Sequence, residues 1–306
     1  MPRCQILPQA NHEVSFLVDG TERTRWHFGS QYPRPFFFPF NGPSGRSLTR
    51  MGHPGAPNHD HHQSIWFAHH KVLGINFWAN TSDAYVRQIQ WLAYEDGDNE
   101  ARMATSLGWY DGHNPAPLIT QELVAAIRPI GDRETILEIQ ATFVPTSETL
   151  EFQQTNFGFL GVRVAGNISV FFGGGKVVNS QGRIGGTNVH ERPATWMDYS
   201  GSVADSDNGS EGITYIDHPT NIGQSTHWHV RDDGWMCASP GMKQPLVTTK
   251  DKPLTVRYLL LAHSGPVDTD RANTLHAEFA KLPPFTVSKS KKPHTSHEIH
   301  RAESPK

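Results

Sequence analysis

Turn punctuation constrains this chain more than anything else in it. Asp19-Gly20, Asp96-Gly97, Asp111-Gly112 and Gly131-Asp132 are turn-forming pairs near segments of alternating or β-rich character. Val14–Val18 and Thr24–Phe28 flank the first. Gln90–Tyr94 and Met103–Tyr110 flank the second, and Ile119–Ile127 and Thr135–Val144 flank the fourth. Within the last of these, Leu137, Ile139, Ala141 and Phe143 fall on one face, with Glu138, Gln140 and Thr142 on the other. Strands joined by tight turns pair antiparallel. Many of them in series predict an all-β fold, a sandwich or a barrel, of which a large antiparallel β-sandwich with long loops is the one expected.

One segment breaks the pattern. Ala272, Leu275, Phe279 and Leu282 recur near the helical period, Asp270 is placed to cap them, and Pro283-Pro284 ends them. The spacing predicts a single C-terminal helix. Beyond Phe285 the chain is short of apolar anchors. The expectation is therefore one β-sandwich domain over 1–285 and a disordered tail over 286–306. The stretch Tyr32–Trp78 reads as neither strand nor helix for most of its length. Its many phenylalanines and tryptophans mark it as a packed, functional loop region.

Charge excludes some functions. With 27 Lys and Arg against 30 Asp and Glu, the net charge is −3, and no basic stripe is available to coat nucleic acid. No apolar run is long enough to span a membrane, and the first residues lack the apolar core of a secretory signal. Cys4 and Cys237 form no metal or redox spacing, so a cytoplasmic location is expected. The oligomeric state is left open.

The 18 histidines and 8 tryptophans stand out. The densest group runs from Asn58 through His59, Asp60, His61 and His62 to Trp66, His69 and His70, with His53 upstream. As extended chain it would set His59 and His61 on one face and Asp60 and His62 on the other. A second group, His227-Trp228-His229-Val230-Arg231, reads as a strand with His227, His229 and Arg231 on one face and Trp228 and Val230 on the other. Imidazoles titrate near neutrality and can act as acid and base. Asp198 and Asp217, beside aromatics and His218, could orient an imidazole or accept hydrogen bonds from sugar hydroxyls. Arg34 is held between Pro33 and Pro35.

The residues assigned to chemistry are thus His61, His62, His229 and Asp198. Those assigned to substrate are Arg34, His59, Trp66, His69, Asp217, His218, His227 and Arg231. Each His segment has one apolar, Trp-bearing face that must meet the core. The expectation is that their polar faces share one cleft. No metal-ligand spacing is met, and no cofactor is expected. An alternative is a metal ion held by His59, His61 and a distant His or Asp.

Several blocks in one order resemble the bacterial PmoA-like family. They are Arg34-Pro-Phe-Phe-Phe-Pro-Phe, His59-Asp-His-His-Gln-Ser-Ile-Trp-Phe-Ala-His, Phe157-Gly-Phe-Leu-Gly-Val-Arg-Val-Ala, Trp196-Met-Asp-Tyr-Ser-Gly and Thr226-His-Trp-His-Val-Arg. Departures fall at Gln63, where the family usually has Arg, at His70, where it has Gly, and at Gln181, where an acidic residue is frequent. The resemblance implies a sandwich akin to the galactose-mutarotase-like supersandwich and a carbohydrate setting. The function expected is an enzyme acting on a sugar or oxidised sugar derivative as lyase, hydrolase or epimerase, with a small-molecule carbohydrate as partner. A non-catalytic sugar-binding protein is the other reading.

Overall fold

The computed structural model describes residues 1–53, 55–131, 133–222 and 225–302. In chain order the first strands are β1 (Cys4–Gln9), β2 (Glu13–Val18), β3 (Thr21–His27), β4 (Phe36–Phe40) and β5 (Ile65–His69). A long meander follows: β6 (Tyr85–Glu95), β7 (Ala101–Tyr110), β8 (Ile119–Ile130) and β9 (Glu134–Pro145). Next come β10 (Thr149–Phe152), β11 (Gly158–Arg163), the one-turn helix α1 (Val170–Gly173), β12 (Lys176–Asn179) and α2 (Gly186–Val189). The rest are β13 (Trp196–Ser202), β14 (Ser210–Asp217), β15 (Trp228–Arg231), β16 (Trp235–Ala238), β17 (Leu246–Thr249), β18 (Leu254–Ser264), α3 (Thr269–Lys281), β19 (Phe285–Lys289) and β20 (His297–Arg301).

These strands build an antiparallel β-sandwich. One eight-stranded sheet has the order β1-β2-β3-β4-β5-β11-β16-β15, the other β12-β13-β14-β18-β9-β8-β7-β6. The predicted turns are where they should be: Asp19 and Gly20 both have positive φ, +52° and +73°, as a two-residue hairpin turn requires. Asp132 lies outside the described residues. The alternating face of Leu137, Ile139, Ala141 and Phe143 packs between the sheets with Phe16, Phe67, Tyr215, Trp228 and Tyr258.

The outer face of the second sheet is covered. Helix α3 lays Ala272, Leu275 and Phe279 on Trp196, Ile216, Leu259 and Leu261. Its cap is Asp268, whose carboxylate accepts the Arg271 N–H at 3.0 Å. Asp270, expected to cap, sits in the first turn instead.

One further expectation is corrected. Residues 286–302 are not a disordered tail. They pair as the β19–β20 hairpin, and Phe285 and Ile299 are buried on Ala93, Ala104, Val124 and Ala126. The Lys- and His-rich turn hides a short alternation of apolar residues. Residues 303–306 lie outside the described part. The Tyr32–Trp78 stretch is irregular for most of its length, as expected, and holds the short strands β4 and β5, both in the first sheet. Among the described residues no helix is long and apolar enough to cross a membrane.

Candidate functional site

Strand alternation gives the first sheet a second, outward set of side chains. Trp66 and Ala68 of β5, Trp235 and Cys237 of β16 and Phe36 of β4 form a separate aromatic cluster there, joined by Trp78 from a loop. Ring centroids are 5.1 Å apart for Trp66 and Trp235, 5.6 Å for Trp66 and Trp78, and 5.4 Å for Trp78 and Trp235. Gly161 of β11 makes room for them. A Cβ at that position would lie 2.4 Å from Trp235 and 3.2 Å from Trp66.

The histidine segment lies over this floor. It is not extended: Pro57–His59 is a 3-10 turn, and His62 N–H bonds back to the His59 carbonyl at 3.0 Å. The turn folds the imidazoles together, with His61 and His62 centroids 4.4 Å apart and His59 5.1 Å from His62. His62 stacks on Trp235 at 4.8 Å, and His229, from β15, approaches the same indole at 6.0 Å. The two histidine segments therefore do meet, with Trp235 between them. Beside His229 and Arg231 lies an open pocket of about 450 Å³, also lined by His190 and Asp232.

Burial keeps these imidazoles neutral. It lowers His61 and His229 to about 4, and lowers His62 further, with cationic neighbours adding to the effect. A neutral imidazole offers one donor and one acceptor, so at neutral pH each ring can both give and receive a hydrogen bond.

Cations gather around one carboxylate. Asp233, in the turn after β15, receives Arg163 Nη1 at 3.1 Å and Arg231 Nη2 at 3.1 Å, with His53 Nε2 at 3.6 Å. Arg50 Nη2 donates to its main-chain oxygen at 2.9 Å. Burial opposes the Asp233 charge, but Arg163 and Arg231 outweigh it and hold the carboxyl below its usual value. Arg231 also reaches His59 at 3.5 Å. Arg34 is almost wholly buried, and among the described residues it donates only to neutral oxygens: those of His61 (3.3 Å), Ala79 (3.3 Å) and Gln63 (3.2 Å). Burial pushes it down to about 9.

The structure thus brings together Arg34, His59, His61, His62, Trp66, His229 and Arg231. It places others elsewhere. Asp198 lies on the opposite face of the second sheet, where it bonds His263 (2.8 Å) and Thr214 (2.7 Å). It was misplaced because its neighbour Tyr199, not Asp198, has the inward parity. Asp217 is enclosed by Thr226 and Asn221, at 2.6 and 2.7 Å, and burial raises it to about 7. His218 anchors α3 through the Phe279 carbonyl and Arg257. His69 points into the core against Phe152 and Phe159. Trp228 is likewise in the core, and His227 sits at the entry to β15, bridged to Pro193.

Asp233, Arg163, Arg50, Trp78, Trp235 and Phe157, whose ring lies 5.4 Å from Trp78 and 5.0 Å from His229, were missed. Trp235 and Asp233 had a signal: the hairpin turn after Arg231 carries the outward parity of His229 and Arg231 into β16. The rest depend on loops and on pairing between distant strands.

Many buried polar atoms of this site have no hydrogen-bond partner among the described residues. They are the indole N–H groups of Trp66, Trp78 and Trp235, Nδ1 of His62 and His229, Nε and Nη2 of Arg163, and Nε of Arg50. Among the described residues no three His, Cys, Asp or Glu side chains are arranged to hold a metal ion.

Fold and site together define an antiparallel β-sandwich with an aromatic, histidine- and arginine-lined site on one outer face. The chain belongs to a family of unknown function, DUF6807, whose model matches residues 13–277. No curated protein sequence matches it. Among solved structures it is similar to a 4-α-glucanotransferase from Thermococcus litoralis, at 10% identity and a TM-score of 0.31 over 86% of this chain. This chain spans 40% of that enzyme's length. It is also similar to a candidate mutarotase from Salmonella typhimurium, at 12% identity and a TM-score of 0.33, covering 86% of this chain and 94% of that one. At these values neither likeness assigns a role to any residue.

Proposed function

We propose that this protein is an enzyme acting on a carbohydrate or an oxidised sugar derivative, with the site over Trp66, Trp78 and Trp235 as its active site. One observation carries the reading. Five ring nitrogens of three indoles and two imidazoles are buried in one place without partners among the described residues. Buried polar groups normally have partners, and a set of orphans in one place is a place where a ligand supplies them. A polyhydroxyl ligand fits, since its hydroxyls accept from indole N–H and pair with imidazole in either sense. Indole and imidazole rings also offer flat apolar faces to a sugar ring.

The chemistry is acid/base. His62 and His229 flank Trp235 and are neutral at physiological pH. One can take a proton from a substrate carbon or hydroxyl while the other hydrogen-bonds the departing or receiving oxygen. Arg34, fixed beneath His61, supplies positive charge where an oxyanion develops. Lyase, hydrolase and epimerase chemistry all use this set, and the products distinguish them. The resemblance of the His59–His69 and Thr226–Arg231 blocks to the PmoA-like family supports the carbohydrate setting.

A panel of neutral, keto and acidic sugars, followed by NMR, tests the proposal. Wild-type protein should convert at least one. Replacing one acid/base group costs roughly 10²–10⁴-fold in rate, so His62→Gln and His229→Gln should each lose turnover by that order while retaining the wild-type circular dichroism. Full turnover in both variants would remove the assignment. Saturable binding with no conversion would make the protein a sugar binder.

A further inference from the structure

We propose, resting on that reading of the site, that the ligand is a sugar acid whose carboxylate is seated on Arg163, Arg50 and Arg231. The argument is one of charge and of donors without acceptors. Three guanidiniums gather on Asp233, and among the described residues this single carboxylate leaves two positive charges without a carboxylate of their own. Arg34 adds another, with no carboxylate within ion-pair distance among the described residues. The chain as a whole is acidic, at −3, so the excess is a property of this place.

An arginine cannot relieve the strain by losing its proton, because it stays charged at any physiological pH. Arg163 is the sharpest case. Its side chain is 0% exposed, yet only Nη1 is engaged, while Nε and Nη2 have no partner among the described residues. Nε and a terminal nitrogen form the fork that receives both oxygens of a carboxylate. Arg50 Nε is open in the same way, and the two guanidiniums share the Asp233 turn. Buried charge without a partner is expensive. A ligand carboxylate repairs the deficit, and its sugar ring would extend toward the indoles and imidazoles next to it. His59, His61 and His62 feel these same arginines, which ties the cradle to the acid/base groups.

The test uses the quenching of tryptophan emission in the intact chain. The probes are D-glucose against D-glucuronate, D-galactose against D-galacturonate, and acetate. Each acid should bind about tenfold or more tightly than its neutral parent, as one added charge-assisted contact predicts. Arg50→Gln, which leaves the Arg163–Asp233 pair in place, should erase most of that preference, read as the ratio of acid to neutral-sugar affinity. Arg163→Gln, checked for native circular dichroism, should do so more completely. Neutral sugars bound as tightly as their acids, or a preference unmoved in Arg50→Gln, would overturn the proposal, as would silence from every acid and from acetate. Acetate binding with no sugar or sugar acid bound would keep the anion cradle and remove the sugar reading. Turnover of neutral sugars without acid preference would do the reverse.

Discussion

The β19–β20 hairpin gives the sharpest quantitative test, through Phe285→Ala. Phe285 is 3% exposed and lies over Ala93, Ala104, Val124 and Ala126 on the second sheet. The Arg301 guanidinium sits 4.1 Å above its ring and bonds Glu138 at 3.0 and 2.8 Å. Truncating a buried Phe costs about 3–5 kcal/mol, and losing a partly buried cation–π contact adds about 1 kcal/mol. Gln140 holds the Phe285 main chain from both sides, at 2.8 Å each way, and the variant keeps those bonds. The expected loss is therefore about 5 kcal/mol. For a domain of this size such a loss lowers the melting temperature by on the order of 10 °C. Differential scanning fluorimetry and circular dichroism melts measure it. Hydrogen exchange over residues 285–301 shows whether the hairpin opens alone or with the sandwich. A melting temperature within a degree of wild type, together with an equal value for a chain ended at Pro284, would refute the packing argument.

Gly161→Ala should displace the aromatic floor, because its Cβ would sit 2.4 Å from Trp235. Overpacking of this kind costs about 1–3 kcal/mol, read as a lower urea midpoint at unchanged slope with altered tryptophan emission. An unchanged spectrum and midpoint would count against the close approach. Stability should also fall with acid. Burial lowers His69 to about 3 and His229 to about 4 in the folded chain, against about 6.5 when unfolded. Above that unfolded value neither state binds the proton. Below it only the unfolded state does, so stability is lost as pH drops from about 6.5 toward 4. Each group contributes a slope of up to about 1.4 kcal/mol per pH unit. Urea midpoints at successive pH values should show the fall, with His69→Leu flattening part of it. A flat profile across that window would contradict the buried neutral histidines.

Much of the fold could be read directly because β-sheet alternation is local. Leu137 to Phe143 declared their inward face, and Asp19-Gly20 declared its hairpin. The same parity argument explains the errors. Trp66 and His69 are three apart on one strand and so face opposite sides, which sends His69 into the core. Asp198 alternates with Tyr199, which is inward, and therefore faces out under α3. The meeting of His62 with His229 followed from the requirement that both apolar faces be buried. Its actual form did not, because a turn at Pro57–His59, not extended chain, brings His62 onto Trp235 and His61 beside Trp78. Asp233 was invisible as a partner of Arg163, since β11 and the β15–β16 turn come together only through sheet pairing.

That pairing has a kinetic consequence. Strand β11 lies between β5 and β16, matching Ile65 to Val162 on one side and Leu160 to Ala238 on the other. Each match closes a long stretch of chain, and loop closure must precede the contacts that reward it. Arg50, Arg163 and Arg231 are therefore strangers to one another in the unfolded chain, and their mutual repulsion is switched on only as β11 is inserted. Folding of the first sheet should be slow at that step and faster at high ionic strength, where the repulsion is screened. A sugar acid present during refolding would act on the same step, as a counter-ion to a site that has just come into being.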